Sequence, residues 1–157
     1  MKIKWVVLGK SSPSCVEILT RTYIQRLERL IKFQYLEVIP PKKITRLPVE
    51  LRKQKEGELL LKHIGGGDYV VLLDERGREF TSGEWARHLE QTALHIAGEM
   101  VFVTGGPYGF SESLYNISRE KLSLSRMTFS HQIIRVMFAE QLYRAVSIIK
   151  NLPYHNE

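Results

Sequence analysis

The residues best suited to bind a ligand follow a short apolar run in VFVTGGPYGFSES, residues 101–113. Gly105, Gly106 and Pro107 come directly after residues that are typical of a strand. One interpretation is a simple turn, because glycine and proline punctuate any fold. The other is a ligand pocket, because in open α/β sheets small molecules bind outside the carboxyl ends of strands, where bare backbone can approach them. On that second interpretation a valine at Gly106 would fill the ligand's space.

The neighbouring residues narrow the class of ligand. No Lys or Arg lies between Met100 and Ile117, and Glu99 and Glu112 bracket the turn. Neither a GxxxxGK[ST] loop nor a complete GxGxxG occurs around these glycines, so a phosphate ligand is disfavoured and a neutral or cationic one is favoured. The sequence has no GxSxG elbow and no evident catalytic dyad. Its single cysteine excludes an internal disulfide and a multi-cysteine zinc site, and we expect no metal.

The elements that position this turn alternate between strand and helix. Apolar runs predict strands at 3–9, 33–39, 69–74, 100–104 and 122–125. Helices are predicted from a Ser12 cap with Pro13 in the first turn, over 48–64, after a Thr81–Glu84 capping box, after Ser111, and over 131–150. This order predicts an α/β, three-layer α/β/α sandwich with a mostly parallel sheet. Three strand ends then meet in one crevice: Leu73 and Asp74, Gly105 and Gly106, and the stretch 122–135.

The length and composition set the class of protein. A chain of 157 residues, 43% of them hydrophobic, predicts a single domain spanning 1–157. No apolar run approaches the roughly 20 residues of a membrane span, and MKIKWVVLGK lacks a signal peptide's cleavage site. We therefore expect a cytoplasmic protein without a membrane partner.

The positive charge of the chain is concentrated near its start. The first 60 residues hold 13 Lys and Arg against 6 Asp and Glu, whereas the rest hold 10 against 11. The basic segment PKKITRLPVELRKQK, residues 41–55, carries most of this excess. It is either a solvated surface or a binding site for a polyanion such as RNA. The candidate phosphate contacts are Lys42, Lys43, Arg46, Arg52 and Lys53.

Several longer motifs together resemble a known family. GGPYGF, LSLSRMTFSHQIIRVMFAEQLYRA and the ending PYHNE, with KEGE at 55–58 and LLDERG at 72–77, are similar to the RlmH (YbeA-like) branch of the SPOUT methyltransferases. Members methylate N3 of a pseudouridine in the 23S RNA of the large ribosomal subunit. Two positions depart from the family pattern: Ser130 stands where Pro is frequent, and Asn156 where a basic residue is common.

The resemblance implies S-adenosylmethionine as cofactor, a C-terminal trefoil knot and a homodimer. Carried onto this sequence, it places the cofactor against Leu73, Asp74, Gly105, Gly106, Leu124, Ser125, Arg126, Met127, Thr128, Phe129 and Ser130. It also places Tyr154, His155 and Arg144 in the catalytic site. His131 opens the last predicted helix, and we expect it to cap or pack there rather than act as a base.

Two other functions remain open on the sequence alone. One is a non-catalytic RNA-binding module that uses the basic segment and keeps the crevice as scaffold. The other is a small nucleotide-binding enzyme. The tail after Pro153 is expected to add little to the core, because it offers no apolar residue beyond Tyr154.

Overall fold

The computed structural model describes residues 1–155, in which five strands and six helices alternate. The strands are β1 (Lys2–Leu8), β2 (Lys32–Val38), β3 (Tyr69–Arg78), β4 (Met100–Thr104) and β5 (Glu120–Leu122). The helices are α1 (Ser14–Leu30), α2 (Lys42–Thr45), α3 (Val49–Leu61), α4 (Ser82–His95), α5 (Glu112–Ile117) and α6 (Ile133–Ile149).

The strands form one sheet in the order β2-β1-β4-β3-β5, and every neighbouring pair is parallel. All carboxyl ends of the strands therefore lie at the same edge. The predicted three-layer α/β architecture with a parallel sheet is confirmed.

Each face of the sheet carries its own core, because successive side chains of a strand point to opposite faces. Ile3, Trp5 and Val7 of β1 pack with α1, α4 and α6, whereas Val6 and Leu8 pack with α3 and α5. Trp5 is fully buried, and its indole N–H donates to the hydroxyl of Thr104 at 2.9 Å. Burial of a large aromatic ring stabilises this core without leaving its N–H unpaired.

Two local predictions were wrong, and one short helix was not predicted. Pro13 is the N-cap of α1, and Ser12 does not cap the helix. The strand expected at 122–125 lies at Glu120–Leu122, because β3 runs on to Arg78 and pairs with Leu122 through an irregular register. The basic segment contains the short helix α2, which the sequence did not predict because the segment has no helical period of apolar residues. The capping box before α4 is confirmed, with Thr81 and Glu84 bonded reciprocally.

Candidate functional site

A cavity of about 460 Å³ opens at the carboxyl edge of the sheet, where the sequence predicted a crevice. Three segments line it: the end of β3, the turn after β4, and the stretch that leads from β5 to α6. A volume of this size lies in the range of small-molecule sites, roughly 300–1,000 Å³. Nine of the eleven predicted cofactor residues line the cavity: Leu73, Asp74, Gly105, Gly106, Leu124, Ser125, Met127, Thr128 and Phe129.

The other two predicted cofactor residues are not among those that line the cavity. The Arg126 side chain is 91% exposed and its Nε lies 3.3 Å from Glu79. The hydroxyl of Ser130 accepts the Ile133 N–H at 3.2 Å, at the start of α6. The Arg126 side chain therefore points to solvent, and Ser130 contacts the start of α6 rather than the wall of the cavity.

A side chain added at either glycine of the turn after β4 would point into the protein rather than into the cavity. A Cβ atom at Gly106 would lie 2.9 Å from Leu8 Cδ2 and 3.5 Å from Glu56 Oε2. A Cβ atom at Gly105 would lie 3.1 Å from the Phe110 ring. The expectation that a valine at Gly106 would fill the ligand's space was wrong. Gly106 lets the turn pack closely onto β1 and α3, which brings the backbone of residues 105–109 to the cavity wall.

The floor beneath this turn contains a buried ion pair. Glu56 is 3% exposed, and its Oε1 accepts from Arg52 Nε at 2.6 Å. Its Oε2 has no hydrogen-bond partner within residues 1–155. The Arg52 guanidinium also stacks 5.0 Å from the centre of the Tyr108 ring. Two residues of α3 therefore support the turn that lines the cavity.

At the end of β3, Asp74 forms a hydrogen-bonded group with Tyr115 and Arg76. Its two carboxylate oxygens accept from the Tyr115 hydroxyl at 2.6 Å and from the Arg76 N–H at 2.9 Å. Burial opposes ionisation, but these hydrogen bonds hold the pKa of Asp74 below its ordinary value. Burial and the bond to Asp74 raise the pKa of Tyr115. Asp74 is therefore an anion at neutral pH, and it holds Arg76 at the cavity mouth.

A second bond joins two walls of the cavity across its mouth. The hydroxyl of Thr128 donates to a carboxylate oxygen of Glu75. This bond connects the end of β3 to the segment between β5 and α6. Glu75 and Arg76 were absent from the predicted site, although both directly follow Asp74 in the sequence.

His131 also lines the cavity, and it does not cap α6. Gln132 occupies the N-cap position, and no side chain caps the helix there. Of the two roles expected for His131, capping or packing, capping is therefore wrong, and packing stays a prediction. Burial, together with the positive charges of Arg135 and Arg52, lowers the pKa of the His131 imidazole.

Tyr154, His155 and Arg144, the predicted catalytic residues, lie together but away from the cavity. The Tyr154 hydroxyl donates to Glu140 at 3.0 Å, and its ring packs 4.7 Å from that of Tyr143. Arg144 donates to Glu140 and lies 3.3 Å from His155 Nδ1. Burial and hydrogen bonds to Tyr23 and Glu140 raise the pKa of Tyr154.

This group, the tail cluster, consists of Tyr23, Glu140, Tyr143, Arg144, Tyr154 and His155. None of them lines the cavity, and Tyr143 follows the cavity residue Ile134 by about 14 Å along α6 at 1.5 Å per residue. Residue Asn156, where the family pattern has a basic residue, lies outside the described residues.

The basic segment presents some of its cations to solvent and uses others in the fold. Lys42, Lys43 and Arg46 are exposed. Lys53 lies 3.5 Å from Glu50, and Arg52 is bound to Glu56. Beside these residues, a groove of about 480 Å³ lies between α2 and α3, with Ile44, Leu47 and Leu59 in its floor and Lys43, Lys55 and Lys62 on its rim.

Within residues 1–155, no His, Cys, Asp or Glu side chains cluster in the threes that a metal ion would need. None of the described helices has both the length and the apolar character to cross a membrane.

Comparisons with known proteins agree over the whole chain. A family model described as "Predicted SPOUT methyltransferase" matches residues 1–155. The chain is 49% identical over 158 aligned positions to the "Ribosomal RNA large subunit methyltransferase H" of Parabacteroides distasonis, with 100% of both proteins covered. It is 46% identical to the protein of that name from Bacteroides thetaiotaomicron, again with 100% of both covered.

A solved structure shares the fold. The crystal structure of a probable methyltransferase from Bordetella pertussis Tohama I matches with a TM-score of 0.57 at 12% identity, covering 92% of this chain and 94% of that one.

Proposed function

Because this chain belongs to the SPOUT methyltransferase family, we propose that it transfers a methyl group from S-adenosylmethionine to N3 of a pseudouridine in the 23S RNA of the large ribosomal subunit. The observation that carries this proposal is the full-length identity of 49% to a protein named for that class of reaction. We propose that residues 1–157 act as one domain, in the cytoplasm, where ribosomes are modified.

The chemistry of the cavity supports a cationic cofactor with an apolar body. Its wall contains the apolar side chains of Leu73, Leu122, Leu124 and Phe129 beside the backbone of the glycine turn. Asp74 and Glu75 bring negative charge, and the nearby Arg76 is already bound to Asp74. A sulfonium ion with an attached nucleoside fits this combination better than a nucleotide phosphate does.

When bound, S-adenosylmethionine supplies an activated methyl group. The residues of this chain must then hold the acceptor in line with it and remove the imide proton, and such alignment can contribute on the order of 7–11 kcal/mol. The turn at 105–109 and the segment 124–131 form two walls, and the Thr128–Glu75 bond ties the second wall to the end of β3.

The exposed cations of the basic segment are the proposed RNA surface. Lys42, Lys43 and Arg46 are free to neutralise phosphates, with Lys53 beside them. Arg52 instead supports the turn at Tyr108 through its contacts with Glu56 and that ring. We therefore assign Arg52 to the cavity rather than to phosphate binding.

The position of the tail cluster supports a homodimer. Tyr154, His155 and Arg144 do not line the cavity of their own chain, so we infer that a catalytic role for them needs a second chain. A second copy of the chain brings its tail cluster to the first copy's cavity. Ile133 and Met137, one turn apart on α6, remain exposed in the single chain, as expected of residues that a partner covers.

The trefoil knot of the family is part of this proposal. The chain leaves β5 at one edge of the sheet and reaches β1 in its interior. There the Gln132 side chain accepts from the Ser12 N–H at 2.9 Å and donates to the Lys10 carbonyl at 2.9 Å. A crossing of this kind over the strand ends is compatible with the knot.

Calorimetric titration with S-adenosylmethionine and with ATP is the first test. We expect heat from S-adenosylmethionine alone. An RNA-binding module without a cofactor predicts no heat from either, and a nucleotide-binding enzyme predicts heat from ATP alone. The second test incubates the protein with labelled S-adenosylmethionine and ribosomes from cells that lack the enzyme. Absence of N3-methylpseudouridine from digested 23S RNA would reject the proposed reaction.

Mixed dimers test the shared site. A Gly106→Val variant carries a damaged cavity, and a Tyr154→Ala/His155→Ala variant carries a damaged tail. If sites form between two chains, refolding an equal mixture restores methylation, because some mixed dimers combine an intact cavity with an intact tail. A mixture no more active than its separate components would show that each chain works with its own tail.

A further inference from the structure

The methyl acceptor must lose its imide proton, and the cavity contains three side chains that could take it at neutral pH: Asp74, Glu75 and His131. Both oxygens of Asp74 already accept hydrogen bonds, which makes it a weak base. Glu75 accepts the hydroxyl of Thr128. The carboxylates of Asp74 and Glu75 therefore already accept hydrogen bonds from the cavity walls, which disfavours them as proton acceptors.

His131 differs from these two groups in its contacts. Its ring forms no hydrogen bond in the part of the chain that the structure describes, and it lies at the cavity wall. Its backbone is held, because the His131 carbonyl accepts from Arg135 Nε at 3.1 Å. Arg135 is fully buried and also donates to the Leu8 carbonyl at 2.6 Å. The ring is thus free to meet a substrate on a fixed backbone.

The charged groups around His131 favour its neutral form. Arg135 faces it from α6 and Arg52 from α3, and each lies near an acid: Arg52 Nε is 2.6 Å from Glu56, and Arg135 Nη1 is 3.9 Å from Glu37. Burial comes first among the causes that lower the pKa of His131 below 6.5, followed by these two cations. At pH 7 the imidazole is therefore unprotonated and able to accept a proton.

We propose that His131 is the proton acceptor of the methyl transfer; this inference rests on the proposed function. One ring nitrogen takes the N3 proton as the N3 lone pair forms the bond to the methyl carbon. The carbon–sulfur bond breaks and its electron pair stays on sulfur. The imidazolium then releases its proton to solvent. Atoms and charge balance without a further reactant.

The decisive variant is His131→Gln, which keeps a polar side chain of similar size and removes the base. His63→Gln is the matched control, because His63 is exposed and is not among the cavity residues. We expect His131→Gln to lower the single-turnover rate at saturating S-adenosylmethionine by at least about 100-fold, the lower range for general-base catalysis. Its affinity for S-adenosylmethionine in calorimetry should change by less than about threefold, below 1 kcal/mol. His63→Gln should match the wild type in both measurements.

The pH profile separates a base from a merely structural residue. Because only neutral His131 is active, the wild-type rate should fall in acid as the ring gains its proton and stay level above pH 6.5. His131→Gln should lack this step, and its rate should approach the wild type at alkaline pH, where the imide ionises unaided. Added imidazole should partly restore a His131→Ala variant.

Nuclear magnetic resonance of labelled histidine gives a readout that needs no turnover. The His131 signal, identified by its loss in His131→Gln, should titrate with a pKa below 6.5. Arg52→Gln should raise this pKa, because it removes one of the two cations and leaves the Glu56 carboxylate. A pH profile of His131→Gln that keeps the acid step of the wild type would overturn the assignment.

The same assay distinguishes the two proposals. A wild-type protein that forms no methylated product rejects the proposed function. An active wild type with an equally active His131→Gln rejects His131 as the proton acceptor and leaves the methyltransferase proposal intact.

Discussion

The cavity and the tail cluster differ in how they are built. The cavity is assembled from the ends of strands in a buried parallel sheet, and its walls are held by bonds such as Thr128–Glu75. The tail cluster lies on the outer part of α1 and α6 and is held by side-chain contacts among partly exposed groups, with Glu140 at its centre. The first region is preformed for a ligand, whereas no residue of the tail cluster lines that cavity in its own chain.

Removal of the tail should have the largest effect, because it should lower methylation and leave cofactor binding unchanged. Deleting residues 154–157 should lower methylation of ribosomes by at least about tenfold, the equivalent of ~1.4 kcal/mol, because it removes the Tyr154 ring, on which we expect the target base to stack. Affinity for S-adenosylmethionine should not change. Calorimetry and a methylation assay on the same preparation check both statements. Full activity of the truncated protein would show that the tail cluster only packs on α6.

The ring of Tyr154 should matter more than its hydroxyl for both stability and methylation. Contact of the Tyr154 and Tyr143 rings is worth about 0.5–1.5 kcal/mol, so the truncation should also lower Tm by a few degrees. Tyr154→Phe keeps the ring and serves as the control. It should retain most of the activity if the ring stacks on the base.

A substitution beneath the cavity should weaken binding of the cofactor and leave binding of the RNA unchanged. Gly106→Val inserts carbon atoms against Leu8 and Glu56, so we expect the turn to shift and affinity for S-adenosylmethionine to fall about tenfold. Overpacking of this kind costs roughly 1–3 kcal/mol, and Tm should fall with it. Gly66→Val is the control, because no atom lies within 4 Å of a Cβ there. Unchanged affinity in Gly106→Val would place the cofactor away from this turn.

Charge reversal in the basic segment should weaken ribosome binding and leave cofactor affinity unchanged. Lys42→Glu with Lys43→Glu should weaken binding and lower the salt dependence by about one to two phosphate contacts. Lys2→Glu with Lys32→Glu makes the same change in charge at the amino edge of the sheet, where these two exposed residues are paired in register. Equal effects of the two double variants would mean that only net charge matters.

The smallest effect should come from a residue that belongs to neither region. Thr81→Ala removes the cap of α4 and should cost about 1 kcal/mol, lowering Tm by about 2–4 °C with methylation unchanged. Hydrogen bonds from Thr81 hold the pKa of Glu84 below 4.5. The stabilisation from Glu84 is therefore present above pH 4.5 and is lost as pH falls through the lowered pKa. Thermal melts at pH 7 and in acid compare the two proteins.

The features that the sequence predicted correctly depend on residues that are close together in the chain. Buried strands appear as apolar runs, the α4 cap as Thr81 and Glu84, and the cavity as glycines after β4. The sequence did not predict the support of the turn by Arg52 and Glu56. These contacts join residues that are far apart in the chain, so no local pattern encodes them. The displacement of β5 has the same origin, because its register depends on the length of β3.

The place of β1 inside the sheet bears on how the protein is made. Ile3 of β1 pairs with Met100 of β4, and α6 packs against α1. Contacts of such long sequence separation form slowly, because the intervening chain must first be ordered. During synthesis, β1 and α1 leave the ribosome while β4 and α6 are still untranslated, so their apolar faces stay uncovered until α6 is complete. An enzyme proposed to modify ribosomes therefore depends on finishing its own translation before its core can close.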